Sequence, residues 1–555
     1  MTRRVKNILF IMFDQLRFDY LSCAGHPHLQ TPHIDRLAQK GVRFTRAYVQ
    51  SPVCGSSRMS FYTGRYVHSH GAQRNNFPLK VGEVTLGDHL RANNMDCYLV
   101  GKTHMQADAK GLERLGITPD SVIGARLSEC GFDVVVRDDG LWAEGVDGFY
   151  DRKRSPYNEY LKSKQYQATN PWHENANAAV DATGDIASGW LMQNADKPAN
   201  IREEDSETPW LTRECIRFLQ ERGAADKPFL CHLSYIKPHW PYIVPAPYHN
   251  MYGAEHLLPA VRDARERKDP HPVYDAYMQS QIAKSFSRDE VREKVIPAYM
   301  GLIKQCDDQM GELFHYLEES GRMGDTMIVL TSDHGDYLGD HWLGEKDHFH
   351  ECSVKIPLII YDPSPEADGT RGTVCDELVE SIDLAATFLD LTNAQIPDHI
   401  IEGRSLSPYL HGQSPSQWRD FVISEYDYST SFAAVQLKLE PRDCRLFMVA
   451  DKKWKFVHSE GGFRPMLFDL ENDPNEFVDL GASADHEEVI DMMYQRLGRW
   501  ARRMSQRTTL SEDDIKAMRG RALRKGVFLG LYDGQEIAPE LLAPIKGKAK
   551  TRFDP

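Results

Sequence analysis

The chain has 555 residues with 66 Lys and Arg against 81 Asp and Glu, and its formal net charge of -15 argues against nucleic acid or an anionic membrane as its main partner. At 41% hydrophobic and 26% charged residues it is a globular protein, long enough for one large domain with appendages or for two to three smaller ones. An anionic substrate would need a local basic pocket. The ten cysteines, Cys23 to Cys444, include no CxxC pair, so reduced thiols in a cytoplasmic compartment are the simpler expectation. The apolar run Ile8 to Phe13 is too short for a signal-peptide core or a membrane span.

Short apolar runs of strand length alternate with segments of helical period, which predicts an α/β fold. In chain order, Asn7 to Phe13 runs into Asp14-Gln15, and Asp96 to Val100 runs into Gly101-Lys102-Thr103-His104. From about 105 to 214 the chain is rich in Asp, Asn, Ala and Gly with weak periodicity, and reads largely as an insertion bordering the active-site mouth. Phe229 to Ser234 leads to Lys237-Pro238-His239, and Met327 to Leu330 leads to Thr331-Ser332-Asp333-His334. Ligands of open α/β sheets bind beyond the carboxyl ends of the strands, so these four polar clusters are expected to converge on one site. Between the last two strands, Arg292 to Gly321 reads as a helix with Tyr299, Leu302, Ile303, Cys306, Met310, Leu313, Phe314 and Leu317 as its apolar stripe and Gly321 as its stop.

After about Gly403 the pattern changes to short strands, Arg445 to Ala450 and Lys453 to His458. A helix follows, opened by Asp485 with Glu488 in capping-box positions and carrying Val489, Met493, Trp500 and Met504. The expected organisation is a catalytic domain over 1–402, a smaller C-terminal α+β subdomain over 403–510, and an arm over 511–555 that either lies on a neighbouring subunit of a homo-oligomer, a dimer or tetramer, or is mobile.

The most specific segment is Pro52-Val53-Cys54-Gly55-Ser56-Ser57-Arg58, followed by Tyr62-Thr63-Gly64-Arg65. A lone cysteine is usually a small core hydrophobe. Cys54 sits instead in a Pro, Gly and Ser stretch with two arginines nearby, a setting in which a structural cysteine gains nothing. Its spacing to Arg58 departs from the Cys-x5-Arg loop of cysteine phosphatases, which lowers a direct thiolate mechanism.

Cys54 to Arg58 with Thr63-Gly64-Arg65 resembles the sulfatase signature of the alkaline phosphatase superfamily, in which the cysteine is oxidised to formylglycine by a maturation enzyme and the arginine stabilises the aldehyde hydrate. The resemblance continues through Gly101 to His104, Pro238-His239, Asp333-His334-Gly335, Ser381 to Leu384, Glu402 to Leu406, and Leu467 to Leu470 before Asp473-Pro474-Asn475-Glu476. It implies an alkaline-phosphatase-like central mixed sheet flanked by helices. The family carries Pro or Ala where this chain has Ser56, so partial conversion of Cys54 is expected.

By the same resemblance one divalent metal is held by Asp14, Gln15, Asp333, His334 and the modified Cys54, an oxygen-rich set that suits a hard cation. Gln15 and His334 stand where Asp and Asn are common, and both resemble the phosphonate monoester hydrolase branch, which moves the expectation from Ca²⁺ toward Mn²⁺. Lys102 and His104 instead match arylsulfatases; the phosphonate hydrolases carry Tyr and Thr there. His239 and Lys346 match both branches as contacts to the leaving oxygen, and Asn75, with Asn76 as its competitor, is a candidate contact to a sulfuryl or phosphoryl oxygen. His104 is the candidate base for release of sulfate from the hydrated aldehyde.

The expected function is hydrolysis of a small anionic ester, a sulfate ester and in particular an aryl sulfate, with phosphonate and phosphate esters as further substrates. A dedicated phosphonate monoester hydrolase is the alternative within the superfamily. A two-metal phosphodiesterase or phosphomutase acting through unmodified Cys54 lacks a visible second ligand set, and a non-catalytic binding protein would not need Asp14, Cys54 and Arg58 together.

Overall fold

The computed structural model describes residues 5–140, 155–223, 227–519, 532–535 and 537–542. In chain order its strands are β1 (Asn7–Asp14), β2 (Val42–Tyr48), β3 (Asp96–Gly101), β4 (Asp133–Arg137), a small separate hairpin of β5 (Ala178–Val180) and β6 (Ile186–Ser188), then β7 (Phe229–Pro238), β8 (Thr326–Ser332), β9 (Lys355–Tyr361) and β10 (Thr373–Glu380). Eight of them form the central sheet in the order β10-β2-β9-β8-β1-β7-β3-β4. The sheet is mixed, because β9 runs antiparallel to both its neighbours while the other pairs are parallel.

β1 is buried at every position, NILFIMFD, as a strand covered on both faces must be. Its side chains alternate between two cores: Ile8, Phe10 and Met12 pack on one face, Leu9, Ile11 and Phe13 on the other. The second face is covered by the helix Asp289–Glu319, in which all eight residues of the predicted stripe are buried. This helix starts three residues before the predicted Arg292 and ends at Glu319, with Gly321 beyond it in the left-handed region at φ 71°.

The stretch 105–214 is more than an insertion. It holds β4, which pairs in parallel with β3 and forms that edge of the central sheet. Its periodicity was faint because its helices are short, Ala109–Leu115, Val122–Ser128 and Pro156–Ser163, before the longer Glu207–Glu221.

β11 (Val422–Asp427), β12 (Arg445–Ala450), β13 (Trp454–Ser459) and β14 (Met466–Asp469) make a smaller antiparallel sheet. The helix Glu487–Ala501 lays Met493 and Trp500 on it, against Ile423, Phe447, Val449, Phe456 and Leu467. The expected capping box at Asp485 and Glu488 does not form: a 3-10 turn, Ala484–His486, leads into the helix, and His486 at the N-cap makes no side-chain cap. Met504 lies past the helix end and is exposed.

The smaller sheet belongs to the same compact unit as the large one, 1–396 with 401–503; residues 397–400 with 504–555 form a second, small unit. Within the latter, Ser511 and Asp514 build a capping box for the helix Glu512–Met518. Much of the expected arm, 520–531, 536 and 543–555, lies outside the described residues. No helix among the described residues is long and apolar enough to cross a membrane.

Candidate active site

β8, β1, β7 and β3 are four consecutive strands of the sheet, so their carboxyl ends lie side by side. The four polar clusters are the ends of these strands. Asp14 closes β1, Lys102 follows β3, His239 follows β7, and Asp333 and His334 follow β8. Gly101 allows this at β3: at φ 109° it brings its backbone so close to β7 that a Cβ would meet Ser234 O at 2.0 Å.

Cys54 opens a ten-residue helix, Cys54–Thr63, buried along its whole length and ended by Gly64 in the left-handed region. The helix N-terminus favours negative charge at this position. Asn75 Oδ1 accepts from Gly55 N at 2.6 Å, and a Cβ on Gly55 would press on Asn75. Asn75 thus reaches the start of this helix, while Asn76 is exposed.

Around the thiol, Cys54 Sγ lies 3.0 Å from His334 Nε2, 3.2 Å from Lys346 Nζ and 3.7 Å from Asp14 Oδ1. Burial alone would raise its pKa. The charges of Lys346, His334 and Lys102, with a hydrogen bond from His104, outweigh burial and hold the thiol well below its ordinary range. Burial pushes Lys346 down, but Cys54, Asp14, Glu345 and Asp333 more than offset it, so Lys346 stays charged.

The ligand atoms of Asp14, Cys54, Asp333 and His334 all lie within 4.8 Å of one another, and all four residues are buried. His334 Nδ1 donates to Gly335 O at 2.8 Å, which turns its Nε2 toward this group. Gln15 is oriented from behind: its Nε2 donates to Asp336 and, at 3.4 Å, to Tyr242 Oη, and its Oε1 accepts from Lys346 Nζ at 3.0 Å. Two carboxylates, an imidazole nitrogen and the Gln15 amide oxygen, which shares Lys346 Nζ with Cys54, fit a divalent cation.

The Arg58 guanidinium is held by four acceptors. Its Nε donates to Asp333 Oδ2 at 2.8 Å and its Nη2 to Asp14 Oδ2 at 3.0 Å, while Nη1 donates to Ser234 Oγ and Lys102 O at 2.7 and 3.1 Å. The guanidinium therefore spaces the two carboxylates of the candidate metal set, and nothing of it donates to Cys54. Lys102 Nζ adds a 2.6 Å contact to Asp14 Oδ2. At Asp14 burial and Cys54 push the carboxyl up, but Lys102, His239 and Arg58 win and hold it far below the usual range. At Asp333 burial prevails over Arg58 and the carboxyl is raised.

On the remaining side, His239 Nδ1 donates to Trp240 O at 2.7 Å and Nε2 faces Lys346 Nζ at 3.2 Å. Burial, then Lys346, brings His239 down to about 3, so the imidazole is neutral and accepts from the lysine. Asp14, Gln15, Cys54, Arg58, Lys102, His104, His239, Asp333, His334 and Lys346 thus border one buried centre, and Asn75 approaches it through Gly55 N. The supporting residues Ser234, Tyr242, Asp336 and Asp139 were not singled out. Asp336 had a signal, three residues beyond Asp333; Asp139 had none, because it comes from the faintly periodic stretch.

The structure of that stretch gives Asp139 a clear task. Its Oδ1 accepts from Thr103 N at 3.1 Å and from His104 N at 2.7 Å, holding His104 in the left-handed region at φ 53°, and Arg137 braces Asp139 in turn. Asp139→Ala is expected to lower kcat by about tenfold to a hundredfold with a smaller change in KM, because the loop backbone loses its anchor while the reacting side chains remain. Asp139→Asn, which retains an acceptor oxygen, should recover most of the loss; steady-state kinetics on the two variants checks this.

The sequence profile of the sulfatase family matches residues 6–394, and that of the N-sulphoglucosamine sulphohydrolase C-terminal region matches 339–503. The chain belongs to the sulfatase family. The enzyme is thus a hydrolase of the sulfuric ester class. It is 30% identical to the multifunctional alkaline phosphatase superfamily protein PehA of Trinickia caryophylli, over 92% of this chain and 97% of the relative. It is 29% identical to an arylsulfatase of Clostridium perfringens, over 88% and 92%. Among solved structures the phosphonate monoester hydrolase of Agrobacterium radiobacter superposes with a TM-score of 0.76 at 28% identity, covering 89% of this chain and 94% of that one.

Proposed function

We propose that the enzyme is a metal-dependent formylglycine hydrolase of sulfate esters, aryl sulfates in the first place, with promiscuous hydrolysis of phosphonate and phosphate esters. One observation carries this reading: a buried cysteine at a helix N-terminus lies between a metal-ligand set and a ring of cationic and histidine side chains, Lys102, His104, His239 and Lys346. Asp14, Gln15, Asp333, His334 and the residue made from Cys54 would hold Mn²⁺ or Ca²⁺, which supplies Lewis acidity toward the nucleophile and a sulfuryl oxygen. Lys102 and Lys346 neutralise charge on the non-bridging oxygens; Asn75 is in reach of the same group. Lys346 shares a proton donor position with His239, and the pair faces the leaving oxygen. His104, beside Cys54, is the base for release of sulfate.

The likeness to the Agrobacterium phosphonate monoester hydrolase, with Gln15 and His334 in the metal set, supports a second reading, a dedicated phosphonate monoester hydrolase or phosphodiesterase. Side-by-side rates on an aryl sulfate, an aryl phosphonate monoester and an aryl phosphodiester decide between them; a much higher kcat/KM on the phosphonate makes the second reading the better name. Replacing Lys102 by Tyr together with His104 by Thr removes a fixed charge that touches Asp14 and a base that touches Cys54. That double variant is expected to lose sulfate hydrolysis over phosphonate hydrolysis by more than about tenfold in relative kcat/KM, roughly 1.4 kcal/mol. Equal losses would mean the pair serves a step common to both substrates.

The proposal includes a formylglycine-generating maturation enzyme as a partner, a homo-oligomeric state and a cytoplasmic setting. Support for the last is that all ten cysteines are free thiols.

A further inference from the structure

Lys346 meets three groups of the active centre from a loop that belongs to no helix or strand. Its Nζ lies 3.0 Å from Gln15 Oε1 and 3.2 Å from both Cys54 Sγ and His239 Nε2. A lysine carries its charge on a flexible four-carbon stem, so it reaches one point reproducibly only where the backbone beneath it is fixed. Here the backbone on both sides is left-handed, Glu345 at φ 59° and Asp347 at φ 94°. Residues with a side chain rarely adopt that conformation unless their surroundings hold them in it. Glu345 is held by its carbonyl, which accepts from Tyr337 N at 2.7 Å. Asp347 is held by its side chain.

Asp347 Oδ1 accepts from Tyr426 Oη at 2.7 Å, and Tyr426 Oη accepts in turn from Tyr277 Oη at 3.3 Å. Each hydroxyl has one proton to give, so this chain of O–H groups runs from Tyr277 through Tyr426 to the carboxylate. Tyr277 comes from the helix Pro272–Met278 and Tyr426 from β11, an edge strand of the smaller antiparallel sheet. The free edge of β11 is stitched to the segment before the nucleophile. Glu425 N donates to Gln50 O at 2.8 Å, Gln50 Nε2 donates to Ile423 O at 3.3 Å, and Ile423 N donates to Glu380 Oε1 at 2.8 Å. Gln50 stands four residues before Cys54. One strand of the smaller sheet is therefore fixed beside the Cys54 segment, and its buried Tyr426 reaches the loop of Lys346.

We infer that Tyr426 is a positioning residue for the reaction: through Asp347 it fixes the backbone from which Lys346 reaches Cys54 and His239, so that the smaller sheet completes the active site. The inference rests on the proposed role of Lys346 at the substrate oxygens. The Tyr426 hydroxyl is taken up by Asp347 and Tyr277, so its removal acts on the placing of the lysine charge and not on the charge itself. A displaced ammonium loses more where charge develops on the reacting oxygens than in the bound ground state. The loss therefore falls on kcat more than on KM.

The test is a double-mutant cycle in the full-length, metal-loaded enzyme, on an aryl sulfate and an aryl phosphonate monoester. Tyr426→Phe keeps the ring in the core and removes only the hydroxyl, and is expected to lower kcat by about tenfold with KM changed by less than about twofold. Asp347→Ala should do the same from the half-buried side of the contact, and it takes the place of Tyr426→Phe in the cycle if that variant does not fold. Asp347→Asn, which keeps an acceptor oxygen and tolerates the left-handed backbone, should recover most of the loss. In a Lys346→Ala background, adding Tyr426→Phe should change kcat by less than about twofold, because a residue that acts through Lys346 has nothing left to place. A further tenfold loss in the double variant overturns the inference, as does wild-type kcat in Tyr426→Phe when Lys346→Ala is impaired. Wild-type activity of Lys346→Ala on both esters would instead remove Lys346 from the proposed reaction, and this inference with it.

Discussion

Asp333→Asn is expected to lose metal and activity together, with kcat/KM falling by at least about a thousandfold, equivalent to roughly 4 kcal/mol of transition-state stabilisation. The asparagine preserves shape, so the effect isolates the charge. Asp333 holds a position of double duty: its Oδ2 accepts from Arg58 and its Oδ1 from Gln15 N, so the same carboxylate that would bind the cation also fixes the backbone of a neighbouring ligand. Removing the charge leaves Arg58, which is fully buried, with Asp14 as its remaining carboxylate. Breaking a buried pair in this way costs about 3–5 kcal/mol where nothing compensates, so Asp333→Ala and Asp14→Ala should also unfold at lower temperature. Metal analysis by mass spectrometry, kinetics and thermal unfolding on the same preparations separate these effects. Full metal occupancy in folded Asp333→Asn would refute the ligand assignment.

Intact-peptide mass spectrometry across Val53 to Arg58 is expected to show formylglycine at position 54 when the protein is made in a cell with maturation capacity, and activity should scale with the modified fraction. Cys54→Ala should abolish turnover, by more than about ten-thousandfold, because it removes the nucleophile and not merely its activation. Burial adds a condition. Cys54 is 1% exposed and its helix is buried along its whole length, so a maturation enzyme has no access to the thiol once the helix has packed. Conversion is therefore expected during or before folding, and incubation of purified, folded protein with the maturation enzyme should leave position 54 unchanged. Ser56 is no obstacle in the folded state, where its Oγ donates to Ser51 Oγ at 2.7 Å. An active preparation containing only unmodified cysteine would sink the formylglycine mechanism.

Much of this was legible in the chain. The four apolar runs that end in Asp14, Lys102, His239 and Asp333 are adjacent strands of the sheet, and the stripe of Arg292 to Gly321 is the buried face of one long helix. Such features rest on local periodicity, with apolar side chains recurring every two or every three to four residues, and on strand ends that face a common edge; neither requires knowledge of distant contacts. The Cys54 segment was likewise readable because its residue types conflict with a core role.

Tertiary structure alone decided what the charged side chains do to one another. Arg58 lies four residues from Cys54 in sequence, yet its donors go to Asp14, Asp333, Ser234 and Lys102, which lie in or just beyond four different strands, β1, β8, β7 and β3. Asp139 grips the Lys102 to His104 loop across 35 residues, Asp336 turns the Gln15 amide across 321, and Trp190 meets Trp240 from a stretch without visible period. These partners are chosen by strand order and by the need of buried donors and acceptors to be paired, a condition set by the whole packed interior and invisible to any local pattern.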